Sequence, residues 1–104
     1  MLEVVQALEA AFRIGARAAG AKEVQLRELA VTEVIHHLGA AGDAVKDEGL
    51  KASIARSRAL WEAIEVTAAQ YPVTVLINSG VVQGLLIVAE EMAGRERRII
   101  LPGE

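Results

Sequence analysis

The chain has 104 residues, 53% of them apolar, and 14 acidic against 11 basic side chains set its formal charge at -3. That length suits a single domain, residues 1–104, with one core. Arginines scattered among acids, with only Phe12, Trp61 and Tyr71 as aromatics, argue against the basic face or stacking platform of a nucleic-acid binder, and the absence of cysteine excludes disulfides, thiolate catalysis and cysteine-based zinc sites.

Residues 2–19 read as an amphipathic helix, with Val5, Leu8, Phe12 and Ala16 at helical spacing and Val4 and Ala11 widening the stripe. Glu9 and Arg13 form an i,i+4 pair on it, and Gly20 supplies the permissive residue at which helices stop. In residues 21–38, Leu26, Leu29, Ala30, Val34 and Leu38 share a helical face, so a helix from Leu26 onward is expected, with a short strand over residues 23–26 as the competing reading. Gly39, Ala40, Ala41, Gly42 and Asp43 read as a loop, because two glycines raise the cost of helix. Asp43 or Asp47 is placed to cap the helix that follows. That helix, residues 44–70, is the clearest of all, with Leu50, Ile54, Ser57, Trp61, Ile64 and Ala68 on a seam of alternating four- and three-residue steps. Pro72 then ends helix and biases Tyr71 toward extended backbone.

Residues 73–77 are continuously apolar and rich in β-branched side chains, which reads as a strand covered on both faces. A last strand over residues 98–101 is stopped by Pro102 and Gly103. The segment between has two readings. As a helix capped by Asn78 or Ser79, with Val82, Leu85, Leu86, Ala89 and Met92 as its buried stripe, it completes a right-handed β-α-β unit. As a hairpin turning at Ser79 and Gly80, it makes the tail a three-stranded meander. The expected fold is therefore α/β and helix-rich: a small sheet of two to three strands with a C-terminal β-α-β unit packed against N-terminal helices. The alternative is α+β, three helices followed by a three-stranded antiparallel meander.

Two constellations have the residue types for chemistry. Glu33, His36 and His37 place a carboxylate and imidazoles within one helical turn, and Glu-x-x-His is half of the motif that holds bridged metals in helical bundles. The second half is missing, so a metal there requires two copies of the chain, and partly exposed histidines near a helix end are the plainer reading. Asn78, Ser79 and Gly80 follow the expected strand and open the expected helix, where unpaired backbone N–H groups and the helix dipole suit a phosphate or carboxylate. Neither a Gly-x-Gly-x-x-Gly nor a phosphate-loop fingerprint accompanies them.

Residues Ile77, Asn78, Ser79 and Gly80, with the run from Gly84 through Leu85, Leu86, Ile87, Val88 and Ala89 to Glu90, resemble the opening unit of the mannose-type phosphotransferase IIA domains. There a strand leads to a His-Gly turn and a helix. Ser79 stands where the phosphoryl-accepting histidine would be, the unit lies at the opposite end of the chain, and the other two-thirds carries no match, so no activity is carried across.

No run reaches the roughly 18 to 20 consecutive apolar residues of a membrane span. Glu3, Gln6 and Glu9 near the N-terminus do not form the basic opening of a secretory signal. A soluble cytoplasmic protein without membrane, nucleic-acid or cofactor partners is expected. The apolar content exceeds what one small core hides, which points to a non-catalytic domain that forms a homo-oligomer, or binds a protein partner, through apolar helix faces. The competing function is binding of an anionic or phosphate-bearing small molecule, or a small oligomeric enzyme, with its site near Ser79.

Overall fold

The computed structural model describes the backbone of residues 1–100 and the side chains of residues 1–96. Four helices follow one another: α1 (Leu2–Ala18), α2 (Val24–Ala44), α3 (Glu48–Glu62) and α4 (Tyr71–Ile100). No strand occurs among the described residues, so neither the α/β fold with its β-α-β unit nor the α+β meander is present.

The helices close a ring in which α1 packs on α2 and α4, while α3 packs on α2 and α4. Neighbours run antiparallel, as the short connections require. Along α1 and α4, the Tyr71 hydroxyl donates to the Ala18 carbonyl at 2.9 Å, and farther from that end Gly15 faces Ser79. Buried residues recur at three- and four-residue steps: Val4, Leu8, Ala11, Gly15 and Ala18 on α1; Val31, Val34, Leu38 and Ala41 on α2; Leu50, Ile54, Ser57 and Trp61 on α3. On α4 the inward face is Tyr71, Val75, Asn78, Ser79, Val82 and Ala89. This is the side-chain interlock of a bundle, and full burial of each large aliphatic or aromatic contributes about 1.5–3 kcal/mol.

Several expectations are corrected. Residues 73–77 are helical, because the alternative registers differ in what they bury: a helix sends Tyr71, Val75 and Ser79 to one face, where α1 and α3 cover them, and that tertiary gain outweighs the weak β preference of Val and Ile. Pro72 starts a helix instead of ending one. In the first turn its missing N–H has no partner to lose, and its fixed φ suits the helix; the backbone bond from Thr74 N–H to the Gln70 carbonyl follows directly. The strand expected over residues 98–101 is contradicted as far as Ile100, where α4 continues, and Leu101, Pro102 and Gly103 lie outside the described residues. Residues 23–26 enter α2, not a strand.

The expected loop at residues 39–43 is helix too. A methyl built on Gly39 would stand 3.4 Å from the Arg58 guanidinium carbon, and one on Gly42 3.7 Å from Ile54 Cγ2, so both glycines lie where α3 crosses close to α2. The helix expected over residues 44–70 is shorter at both ends. Asp47 caps it, its carboxylate accepting from the Leu50 N–H at 2.8 Å, and after Glu62 the chain turns through residues 63–70. The expected stripes are also rotated: on α1, Val5 and Phe12 are half-buried and Ala16 is exposed, while on α2 Leu26 and Leu29 face solvent.

One arginine ties the end of the bundle where both turns lie. Arg27 donates from Nε to the Ala21 carbonyl at 2.7 Å and from a terminal nitrogen to the Val66 carbonyl at 2.8 Å, and its guanidinium sits 4.2 Å from the centre of the Tyr71 ring. It thereby joins the α1–α2 turn, the α3–α4 turn and the start of α4. Burial raises the Tyr71 hydroxyl pKa, and the positive charge of Arg27 opposes that rise. A pKa that folding raises means the folded state holds its proton more tightly than the unfolded chain. The stabilisation is complete below the ordinary tyrosine value of about 10 and is lost as pH climbs through the higher folded value. Denaturant titrations across that alkaline range should show stability falling for the parent chain and a shallower fall for Tyr71→Phe.

Candidate interaction surface

The residues singled out for chemistry do not converge. Asn78 and Ser79 lie in the middle turns of α4, not at a helix start. Both are buried, and the Asn78 side-chain amide is already donating to the Thr74 carbonyl at 2.9 Å. Ser79 is 3% exposed and directed at Gly15, while Gly80, its neighbour, is on the outer surface. The three therefore straddle two faces of one helix. Glu33 and His36 are exposed on α2 and His37 is half-buried, with the two imidazoles edge to face at 5.5 Å. Among the described residues no group of three metal-binding side chains comes together.

Three buried polar atoms have no hydrogen-bond partner among the described residues: Ser57 Oγ, Trp61 Nε1 and Ser79 Oγ. Trp61 and Ser79 both border the space above Gly15, between α1, α3 and α4. An unpaired buried hydroxyl is a cost, so Ser57→Ala and Ser79→Ala should each leave the fold intact and raise stability by about 1 kcal/mol, read from thermal or denaturant melts. A loss of stability would mean that the hydroxyl has a partner.

The surface clefts carry little chemistry. One, about 430 Å³, opens between Met1, Ala44 and Asp47 on one side and Met92 and Arg95 on the other. A second of about 280 Å³ follows the α2–α3 crossing past Gly39, Gly42 and Arg58, and a third of about 310 Å³ lies beside the α3–α4 turn. None brings a histidine or an unpaired buried polar atom to its wall.

What the structure does display is the outward side of α4. Val73, Leu76, Ile77, Val81, Ile87 and Val88 are 41 to 63% exposed, and at 100° per residue they share the face opposite Tyr71, Val75, Val82 and Ala89. Gly80 and Gly84 lie between them on the same face. A methyl at either would meet nothing within 4 Å. Each costs its helix about 1 kcal/mol relative to alanine, and nothing among the described residues requires either, in contrast to Gly15 against Trp61 and Ser79.

No charged side chain stands between Glu65 and Glu90. The segment Tyr71–Glu96 is a helix long and apolar enough to cross a membrane, with a mean hydropathy of 1.8 over its most apolar window. This corrects the expectation that no segment reaches a membrane span, which rested on the lack of an unbroken apolar run; here Thr74, Asn78, Ser79 and Gln83 interrupt a helix whose mean is still apolar. A smaller exposed apolar group, Val24, Leu26 and Leu29, lies at the start of α2.

Sequence reasoning missed Arg27 and the paired glycines of α4. The tie made by Arg27 spans 39 positions to Val66 and leaves no local pattern. The spacing of Gly80 and Gly84 was visible, but it acquires meaning only once residues 71–89 are placed on one helix. Comparison of the chain with protein-family models, with curated proteins and with solved structures finds no match.

Proposed function

We propose that this chain is a non-catalytic helical domain that self-associates, or binds a protein partner, through the apolar outer face of α4. The observation that carries the reading is the continuous stripe from Val73 to Val88 on the side of α4 turned away from its own core. Six branched aliphatics at that exposure present roughly 600 Å², the upper end of the largest apolar patches found on monomers, and patches of that size usually mark interaction sites.

The packing around α4 supports a protein-facing role over a lipid-spanning one. Helix α1 lies along the inner side of α4 and carries exposed Glu9, Arg13 and Arg17. Spanning a bilayer with the bundle intact would carry those charges to the depth of the hydrocarbon, at about 2.5–3.5 kcal/mol each even on insertion scales.

The test is a pair of charge insertions on the stripe. Ile77→Glu and Ile87→Glu change residues 63% and 58% exposed, so the protomer should keep its helicity and melting behaviour. Light scattering during size exclusion should show the parent as an oligomer, or as a complex with a bound protein, and the variants as free monomers. A parent that is a lone monomer at micromolar concentration, or variants that associate like the parent, would overturn the reading.

A further inference from the structure

We infer that the occupant of this face is a second copy of the same chain, docked α4 against α4 across a two-fold axis that passes by Gly80 and Gly84. The inference rests on the proposed function above and names its partner. Area is the first argument. A stripe of roughly 600 Å² laid on its own copy removes about 1,200 Å² in total, the lower bound of a specific, stable protein–protein interface. Self-pairing supplies that area without a further surface, because the stripe is uncharged from Val73 to Val88 and aliphatic at both ends. A two-fold contact needs one patch that matches itself.

Geometry is the second argument. Ridges of Val73, Ile77 and Val81 at one end and of Ile87 and Val88 at the other flank a shallow notch where two glycines one turn apart have open space before them. Two helices crossing at such a notch approach backbone to backbone, and the aliphatic ridges on each side interlock. The glycines thereby acquire in the dimer the role that Gly15 has within the protomer, where the absence of a side chain admits a neighbouring helix. A bilayer-spanning role fits less well, since α1 would carry its charged outer side into the hydrocarbon with α4.

The chain contains no cysteine, so a single introduced thiol reports contact without background. Gly84→Cys places a thiol at the notch and Glu9→Cys places one on the exposed side of α1. Under mild oxidation Gly84→Cys should form a disulfide dimer at micromolar protein, and Glu9→Cys should not. In parallel, sedimentation equilibrium of the chain carrying both Gly80→Ile and Gly84→Ile should give a dimer dissociation constant at least about tenfold weaker than the parent's. Its thermal melt should be unchanged or higher when measured at dilutions where the parent is monomeric. A parent that associates while Gly84→Cys stays unlinked and the double isoleucine variant is unaffected would overturn the α4–α4 contact and leave self-association through another face standing. A parent that is monomeric and floats with vesicles of phosphatidylcholine would overturn the second copy as occupant. A parent that is monomeric and ignores vesicles would overturn this inference, and the broader reading as well if no bound protein accompanies it.

Discussion

Gly15→Leu is expected to lower the stability of the bundle by more than about 3 kcal/mol, the upper range for forcing extra volume into a packed core. Its first added carbon alone would stand 2.8 Å from Ser79 Oγ and 3.0 and 3.2 Å from two carbons of the Trp61 ring. Both neighbours are held: Trp61 is wholly buried and Ser79 nearly so, on two different helices. Neither clash is relieved by moving the end of a flexible side chain. For a domain of this length each kcal/mol corresponds to about 4–8 °C, so the melting temperature should fall by well over about 12 °C. At dilutions where the chain is monomeric, Gly80→Leu and Gly84→Leu are the matched controls, since a side chain there meets open space within the protomer and improves helix propensity. An unchanged melting temperature for Gly15→Leu would mean that α1 does not approach α3 and α4 as closely as described.

Arg27→Leu is expected to cost about 2–4 kcal/mol. The substitution keeps an apolar stem against Tyr71 but leaves the Ala21 and Val66 carbonyls without their donor. Hydrogen bonds from a charged donor are worth about 1.5–3 kcal/mol, and the cation over the Tyr71 ring adds about 0.5–1 kcal/mol. Discounting is warranted because the side chain is only partly buried and water can replace some of the lost bonds. The damage should be local first: hydrogen exchange at residues 63–70 and at the start of α4 should quicken before the rest of the bundle opens. Arg27→Lys should recover little, because an ammonium cannot reach two carbonyls and stack on a ring with the guanidinium's planar geometry. Equal stability of Arg27→Leu and the parent in denaturant melts would remove this tie from the account.

Much of the first three helices was legible from periodicity. Helix α1 appears where its three- and four-residue steps begin, and Asp47 announces the start of α3 by its capping chemistry. The second helix failed locally because Gly39 and Gly42 read as breakers, when both continue α2 where α3 crosses it. That crossing involves Arg58 and Ile54, which no local window contains. The middle of the fourth helix was the favoured reading, but its first turns were lost to three signals that agree by coincidence: a β-branched run, Pro72, and the turn-like sequence Asn78, Ser79, Gly80. The steps from Tyr71 through Val75, Ser79, Val82 and Leu86 to Ala89 are all of four or three residues and carry the correct reading. They compete with a period-free apolar run that suits a buried strand equally well.

The candidate surface was half legible. An apolar surplus is readable from composition, and its expected sources are the N-terminal helices, the seam from Leu50 to Ala68 and residues 81–89. Of these, Val81, Ile87 and Val88 are exposed, whereas Leu50, Ile54 and Trp61 are core. Which side of a uniformly apolar helix faces outward depends on where its neighbours lie, and that information belongs to the fold. The reading of Ser79 as a ligand contact came from the expected strand-to-helix turn, and with that turn absent the residue lies inside the bundle facing Gly15.

The most direct measurement is sedimentation equilibrium of the unmodified purified chain over a wide micromolar range. The account predicts a reversible monomer–dimer equilibrium whose dimer is lost on introducing Ile77→Glu. A single species of monomer mass at every concentration, with no bound protein to explain it, would contradict the claim that the outer face of α4 is an interface.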